Sequence, residues 1–102
     1  MKIYIFCDLE GISGVSSKAY VSSDSKRPDL LAAGRQFMAH DINACVEGCF
    51  RAGASSVVVR DGHGDGLNLH RAQIDERVDL VSGATPGRRF GAFEGSSALI
   101  LL

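Results

Sequence analysis

Lys2-Ile3-Tyr4-Ile5-Phe6-Cys7 runs directly into Asp8-Leu9-Glu10-Gly11, and the reading of this stretch decides the fold. The apolar part is β-branched and aromatic, too short for a membrane span or a secretory apolar region, and it stops at an acid. That pattern is a buried strand opening into a loop at its carboxyl end. Further along, Leu30, Leu31, Phe37, Met38, Ile42, Cys45, Val46, Cys49 and Phe50 recur at helical spacing, and Ala52-Gly53 ends the stripe as a glycine C-cap would. Ser56-Val57-Val58-Val59-Arg60 follows at once as a second β-branched run. Strand, helix and strand at this spacing predict a right-handed parallel crossover.

Outward from that unit the signals weaken. Residues 13–28 are rich in Ser, Lys and Asp and read as an excursion over the surface. Residues 67–77 are expected to form a short helix, Val78 to Ser82 a third strand, and 83–95, with Pro86 and four glycines, a loop. Ala98-Leu99-Ile100-Leu101-Leu102 reads as a fourth strand. The expected fold class is α/β, with a mostly parallel sheet of about four strands and flanking helices in one domain, 1–102. A core strand normally leads on into a loop, so the chain is expected to be part of a longer protein.

Composition narrows the function. With 102 residues, 45% hydrophobic content and a net charge of -1, the chain lacks the basic excess of a nucleic-acid binder. No membrane association is expected. Its three cysteines, none in a CxxC pair, fit a reducing, cytoplasmic setting.

In parallel α/β sheets ligands collect beyond the carboxyl ends of strands. Asp8 and Glu10 follow the first strand, and an extended backbone would place their side chains on one face. Two close carboxylates need a compensating cation. Asp61 and His63 occupy the equivalent place after the second strand, where a neutral imidazole would add a nitrogen ligand. Carboxylates with one histidine suit zinc or manganese better than calcium or magnesium, and the glycines beside His63 would let backbone approach the ion. The bland alternative makes each a solvated loop residue; the paired acid-glycine motifs weigh against it. His40 and His70 read as surface residues, Cys45 and Cys49 as core, and Cys7 as facing packed helices. Gly62-His63-Gly64-Asp65-Gly66 lacks nucleotide-loop spacing. Arg88-Arg89 reads as a solvated pair.

Asp8-Leu9-Glu10-Gly11-Ile12-Ser13-Gly14, then Val57-Val58-Val59-Arg60-Asp61-Gly62-His63-Gly64 with Asn68-Leu69, and later Asp79-Leu80-Val81-Ser82-Gly83 and Phe93-Glu94-Gly95, resemble the N-terminal part of the D-aminopeptidases of the DppA type, peptidase family M55. The resemblance implies a dinuclear zinc aminopeptidase that removes D-amino acids from the N-termini of short peptides, assembled as a homo-oligomer. Asp8 would bridge the ions, Glu10 and His63 would complete part of the shells, and Asp61 would orient His63. Family members continue into a Gly-Tyr-His segment that supplies another ligand, followed by a proposed histidine nucleophile and a further glutamate ligand. No histidine follows His70 here, so the chain is incomplete relative to the family, contains no catalytic residue of its own, and is expected to be inactive alone.

Two other readings stay open. Phe6-Cys7-Asp8-Leu9-Glu10-Gly11 also resembles the start of haloacid-dehalogenase-type phosphatases, with Asp8 as nucleophile, Glu10 as acid and magnesium as cofactor, although Glu10 departs from that pattern. A non-enzymatic metal-binding fragment, or one that self-associates through Leu99 to Leu102, is the third.

Overall fold

The computed structural model describes residues 1–84 and 89–102. Lys2–Cys7 forms β1 and Ser56–Asp61 forms β2, and each is buried from its second residue onward, as strands covered on both faces must be. Between them lies one long helix, α1, Pro28–Arg51. Asp79–Val81 forms β3 and Ala98–Leu101 forms β4. Every pairing is parallel and the strand order is β3-β2-β1-β4, the four-stranded parallel α/β arrangement expected.

Pro28 sits in the first turn of α1, where its missing N–H costs nothing, and Asp29 complements the helix dipole there. At the other end Ala54 N–H donates to Cys49 O and Gly53 N–H to Phe50 O, both at 3.0 Å. These are the paired bonds of a Schellman ending, with Gly53 at a φ of 98°. The helix buries Met38, Ile42 and Val46 against Ile3, Ile5, Val57 and Val59. Cys7 is fully buried in the same core, and Cys45 and Cys49 pack at its margin. Burial pushes the Cys7 thiol up to about 12 and that of Cys45 up to about 11, so both behave as packing groups.

The opposite face of the sheet carries no helix among the described residues. Tyr4, Phe6 and Val58 form its core, and Phe90 and Phe93 cover them. Phe93 meets Tyr4 edge-on at 5.2 Å, Phe90 lies 4.9 Å from Phe6, and the Tyr4 hydroxyl donates to Gly91 O at 2.8 Å. Buried Arg60 donates to the carbonyls of Val81, Gly83 and Arg89, tying β2 to the end of β3 and to the chain beyond it. Of the arginine pair, Arg88 lies outside the described residues. Arg89 is not merely solvated, because its guanidinium stands 5.2 Å over the Phe6 ring.

The expected helix over 67–77 reduces to one 3-10 turn, Arg71–Gln73. The reason is competition for its backbone groups. Asn68 and Leu69 N–H donate to the Asp61 carboxylate, while the Asn43 side chain takes Gln73 O and Asp75 N–H. A second 3-10 turn, Lys18–Tyr20, interrupts the excursion before α1. On β4, Leu99 and Leu101 are exposed while Ile100 packs inward. No helix among the described residues is long and apolar enough to cross a membrane.

Ile42 is fully buried between α1 and the sheet, so Ile42→Ala is expected to lower unfolding stability by about 2–5 kcal/mol in urea titrations. A loss below about 1 kcal/mol would contradict this placement of the core.

Candidate metal centre

Cys7 lies opposite Asp61 in the β1–β2 register, and Gly62 N–H donates to Cys7 O at 2.9 Å. The loops after both strands therefore leave the sheet side by side. The first is held from its other flank too, since Asp8 N–H donates to Leu102 O and Leu102 N–H to Phe6 O, each at 3.0 Å.

From these loops Asp8, Glu10 and His63 converge. His63 Nδ1 lies 2.8 Å from Asp8 Oδ1 and 3.2 Å from Glu10 Oε2. One donor atom from each residue falls within 4.8 Å of the others, and no other such group of three exists among the described residues. His63 is largely covered whereas Glu10 is open to solvent, so the cluster faces outward on the Glu10 side.

The second imidazole nitrogen is also committed. Nε2 meets Val21 O at 2.9 Å, and a carbonyl can only accept, so Nε2 carries a proton. An ionised Asp8 likewise only accepts, so a hydrogen bond between the two uses a protonated Nδ1 as donor. Burial works against the His63 charge, but the hydrogen bonds to Asp8 and Val21 and the carboxylate charges outweigh it and raise the pKa above its ordinary 6.5. Burial similarly opposes ionisation of Asp8, and the hydrogen bonds with Glu10, His63 and Leu9 N–H reverse that, lowering its pKa.

The donor set fits a divalent ion. Two carboxylates and a nitrogen converge, which is the charge and the mix of donor atoms that such an ion takes. The Val21 carbonyl fixes the tautomer that frees Nδ1 as a ligand, as backbone carbonyls commonly do behind metal-bound histidines. Asp61 does not touch the imidazole. Its buried carboxylate accepts Asn68 N–H, Asn68 Nδ2 and Leu69 N–H at 2.7, 2.9 and 2.9 Å, and Asn68 Nδ2 also donates to His63 O at 2.7 Å. Its hold on His63 therefore runs through Asn68 and the backbone. Gly62 is required by packing rather than by an ion, because a Cβ there would stand 2.3 Å from Phe6 Cζ. His40 and His70 are exposed and lie away from the cluster.

Val21 was invisible in the sequence, as the whole excursion reads as polar surface. Its position depends on α1. A Cβ on Gly34 would stand 2.7 Å from Tyr20 O, so only glycine lets the Lys18–Tyr20 turn settle this closely against the helix. Tyr20 and Phe37 rings, 6.2 Å apart, pack beside that contact.

The family profile described as D-aminopeptidase, Peptidase_M55, matches residues 1–98. A D-aminopeptidase of Bacillus subtilis strain 168 is 34% identical over 83 residues, covering 81% of this chain. The chain spans 29% of that relative's length. A solved structure described as the Zn-dependent D-aminopeptidase DppA from Bacillus subtilis, a self-compartmentalizing protease, superposes with a TM-score of 0.84 at 31% identity, covering 100% of this chain and 37% of that one.

Gly34→Ala is expected to push Tyr20 and Val21 outward and, if the cluster takes zinc, to weaken that binding about ten- to a hundredfold, while circular dichroism shows the helix retained. Unchanged zinc affinity would break the link from α1 to His63. In the metal-free chain, NMR titration of His63 should give an inflection above 6.5 that falls in Asp8→Asn. The raised imidazole pKa makes the pair's stabilisation complete below 6.5 and lost as pH rises through the folded value. The depressed Asp8 pKa makes it present above 3.8 and lost as pH falls. An inflection that Asp8→Asn leaves in place would disconnect the two groups.

Proposed function

The chain belongs to the D-aminopeptidase family M55, and from that premise we propose that Asp8, Glu10 and His63 hold zinc in a metallo-aminopeptidase acting on short peptides with an N-terminal D-amino acid. The convergence of these three donors carries the proposal. Bound zinc would supply Lewis-acid polarisation of the scissile carbonyl. The remaining work falls to side chains on the page. Asp8 and Glu10 provide the negative charge that receives the cation, and Glu10, on the open side, also faces an approaching peptide ammonium. His63 offers Nδ1 while Val21 holds Nε2–H. Asp61, through Asn68, keeps the His63 loop in place.

Asp8 lies between Leu9 N–H and the imidazole and would hold the metal together with Glu10 and His63, with manganese as the alternative to zinc. Three donors leave a tetrahedral zinc one ligand short. We assign the remaining ligands and the proton-transfer group to polypeptide outside these 102 residues, so the chain alone is expected to bind zinc and leave D-Ala-D-Ala intact. Assembly as a homo-oligomer in the cytoplasm belongs to the same proposal; the related DppA is described as self-compartmentalizing. Against the phosphatase alternative stands the 2.8 Å contact that commits Asp8 to His63, a residue without a role in that chemistry.

Zinc titration by calorimetry tests the assignment. Asp8→Ala and His63→Ala should each weaken binding at least about tenfold, with His40→Ala indistinguishable from the parent chain. Zinc content that survives Asp8→Ala would sink the proposal.

A further inference from the structure

We propose that Lys18 is the carboxylate-binding end of a dipeptide subsite beside the metal centre, its ammonium pairing with the free α-carboxylate of the substrate's second residue. The inference rests on the metal-centre reading above and deepens it.

Two hollows of about 460 and 340 Å³ adjoin the cluster and share Glu10, Lys18 and Val21. The smaller also reaches His63, and the larger is walled by Val15 and Gly11. Among the described residues, Lys18 is the only lysine or arginine lining either. Glu10 and Lys18 line the same two hollows, and one acid and one cation in a shared hollow suit the two opposite charges of a zwitterionic dipeptide, whose ends are separated by roughly 7 Å of extended chain. Val15 and Val21 offer apolar walls to a small aliphatic side chain between those ends.

A surface lysine is ordinarily a loosely held charge, but the backbone of this one is fixed relative to the centre. Lys18 O accepts Val21 N–H at 3.1 Å and Ser22 N–H at 3.0 Å, and Val21 O in turn accepts His63 Nε2–H at 2.9 Å. Gly34 seats the same turn on α1. Asp24, which lines a hollow on another side of Lys18, is held by the Ser22 hydroxyl, and no ion pair joins it to Lys18 among the described residues. After the Ser22 hydrogen bond, the Lys18 charge helps hold the Asp24 carboxyl below its usual range from a distance, without a direct ion pair, and an incoming carboxylate would compete with Asp24 for it. A longer peptide places a neutral amide at this position and loses the contact, which gives the site a preference for dipeptides.

Calorimetric titration of the zinc-loaded chain with D-Ala-D-Ala and with its C-terminal amide tests the subsite. The parent chain should bind the free acid about tenfold more tightly than the amide; Lys18→Met should bind both at the amide's affinity, and Lys18→Arg should restore the difference. Equal affinity for acid and amide in the parent chain, discrimination retained in Lys18→Met, or no binding of either peptide would overturn the subsite. A zinc titration run beside it keeps the two readings apart. Normal, Asp8-dependent zinc binding without acid–amide discrimination rejects only the role of Lys18. Zinc binding that is absent or independent of Asp8 rejects the metal centre, and the same peptide pair titrated into metal-free chain then decides Lys18 by the same tenfold criterion.

Discussion

The parallel register that sets Cys7 opposite Asp61 is the constraint on which the rest depends. It makes the loops after β1 and β2 leave the same end of the sheet as neighbours. The last residues of the two strands then divide the work. Cys7 and Asp61 turn toward the α1 side, and Asp61 stays there fully buried because three N–H groups satisfy its carboxylate. One step further along β1, Asp8 faces the opposite loop and finds His63. The buried acid therefore builds the loop, and the half-exposed acid builds the site.

Much of this was legible in the sequence, for identifiable reasons. Two β-branched runs flanking a long helical stripe have few alternatives as folds, and Gly53 marked the helix end by the chemistry of its C-cap. Asp8, Glu10 and His63 stood at strand ends where ligands collect, so their convergence followed from topology. Val21 did not announce itself, because it acts through a carbonyl that every residue possesses. Gly34 was equally silent: a glycine within a helix reads as a weak helix former until its contact with Tyr20 O is seen. The segment 67–77 misled because its helical pattern was real but its backbone groups were claimed by Asp61 and Asn43.

The two faces of the sheet are built on different principles. One is aliphatic and covered by α1; the other is aromatic and covered by a segment whose rings meet Tyr4 and Phe6 at an angle. Arg60 belongs to the second face, where its guanidinium gathers the carbonyl of Val81 at the end of β3 and those of Gly83 and Arg89 beyond it. For Gly83 and Arg89, which lie outside any strand, a charged side chain takes the place of ladder hydrogen bonds.

Asp8 also has its main chain gripped on both sides, through Leu102 on one flank and through the Cys7–Gly62 bond next to it on the other. Folding has thus already removed much of the backbone entropy of the carboxylate proposed to meet the ion first. A cation meeting this edge would reorder little beyond the Glu10 side chain, so its affinity would reflect donor number and charge rather than the cost of assembling the site. The same clamp gives the Asp8 amide a backbone partner, so its exchange with solvent waits on the opening of the bond to Leu102 O.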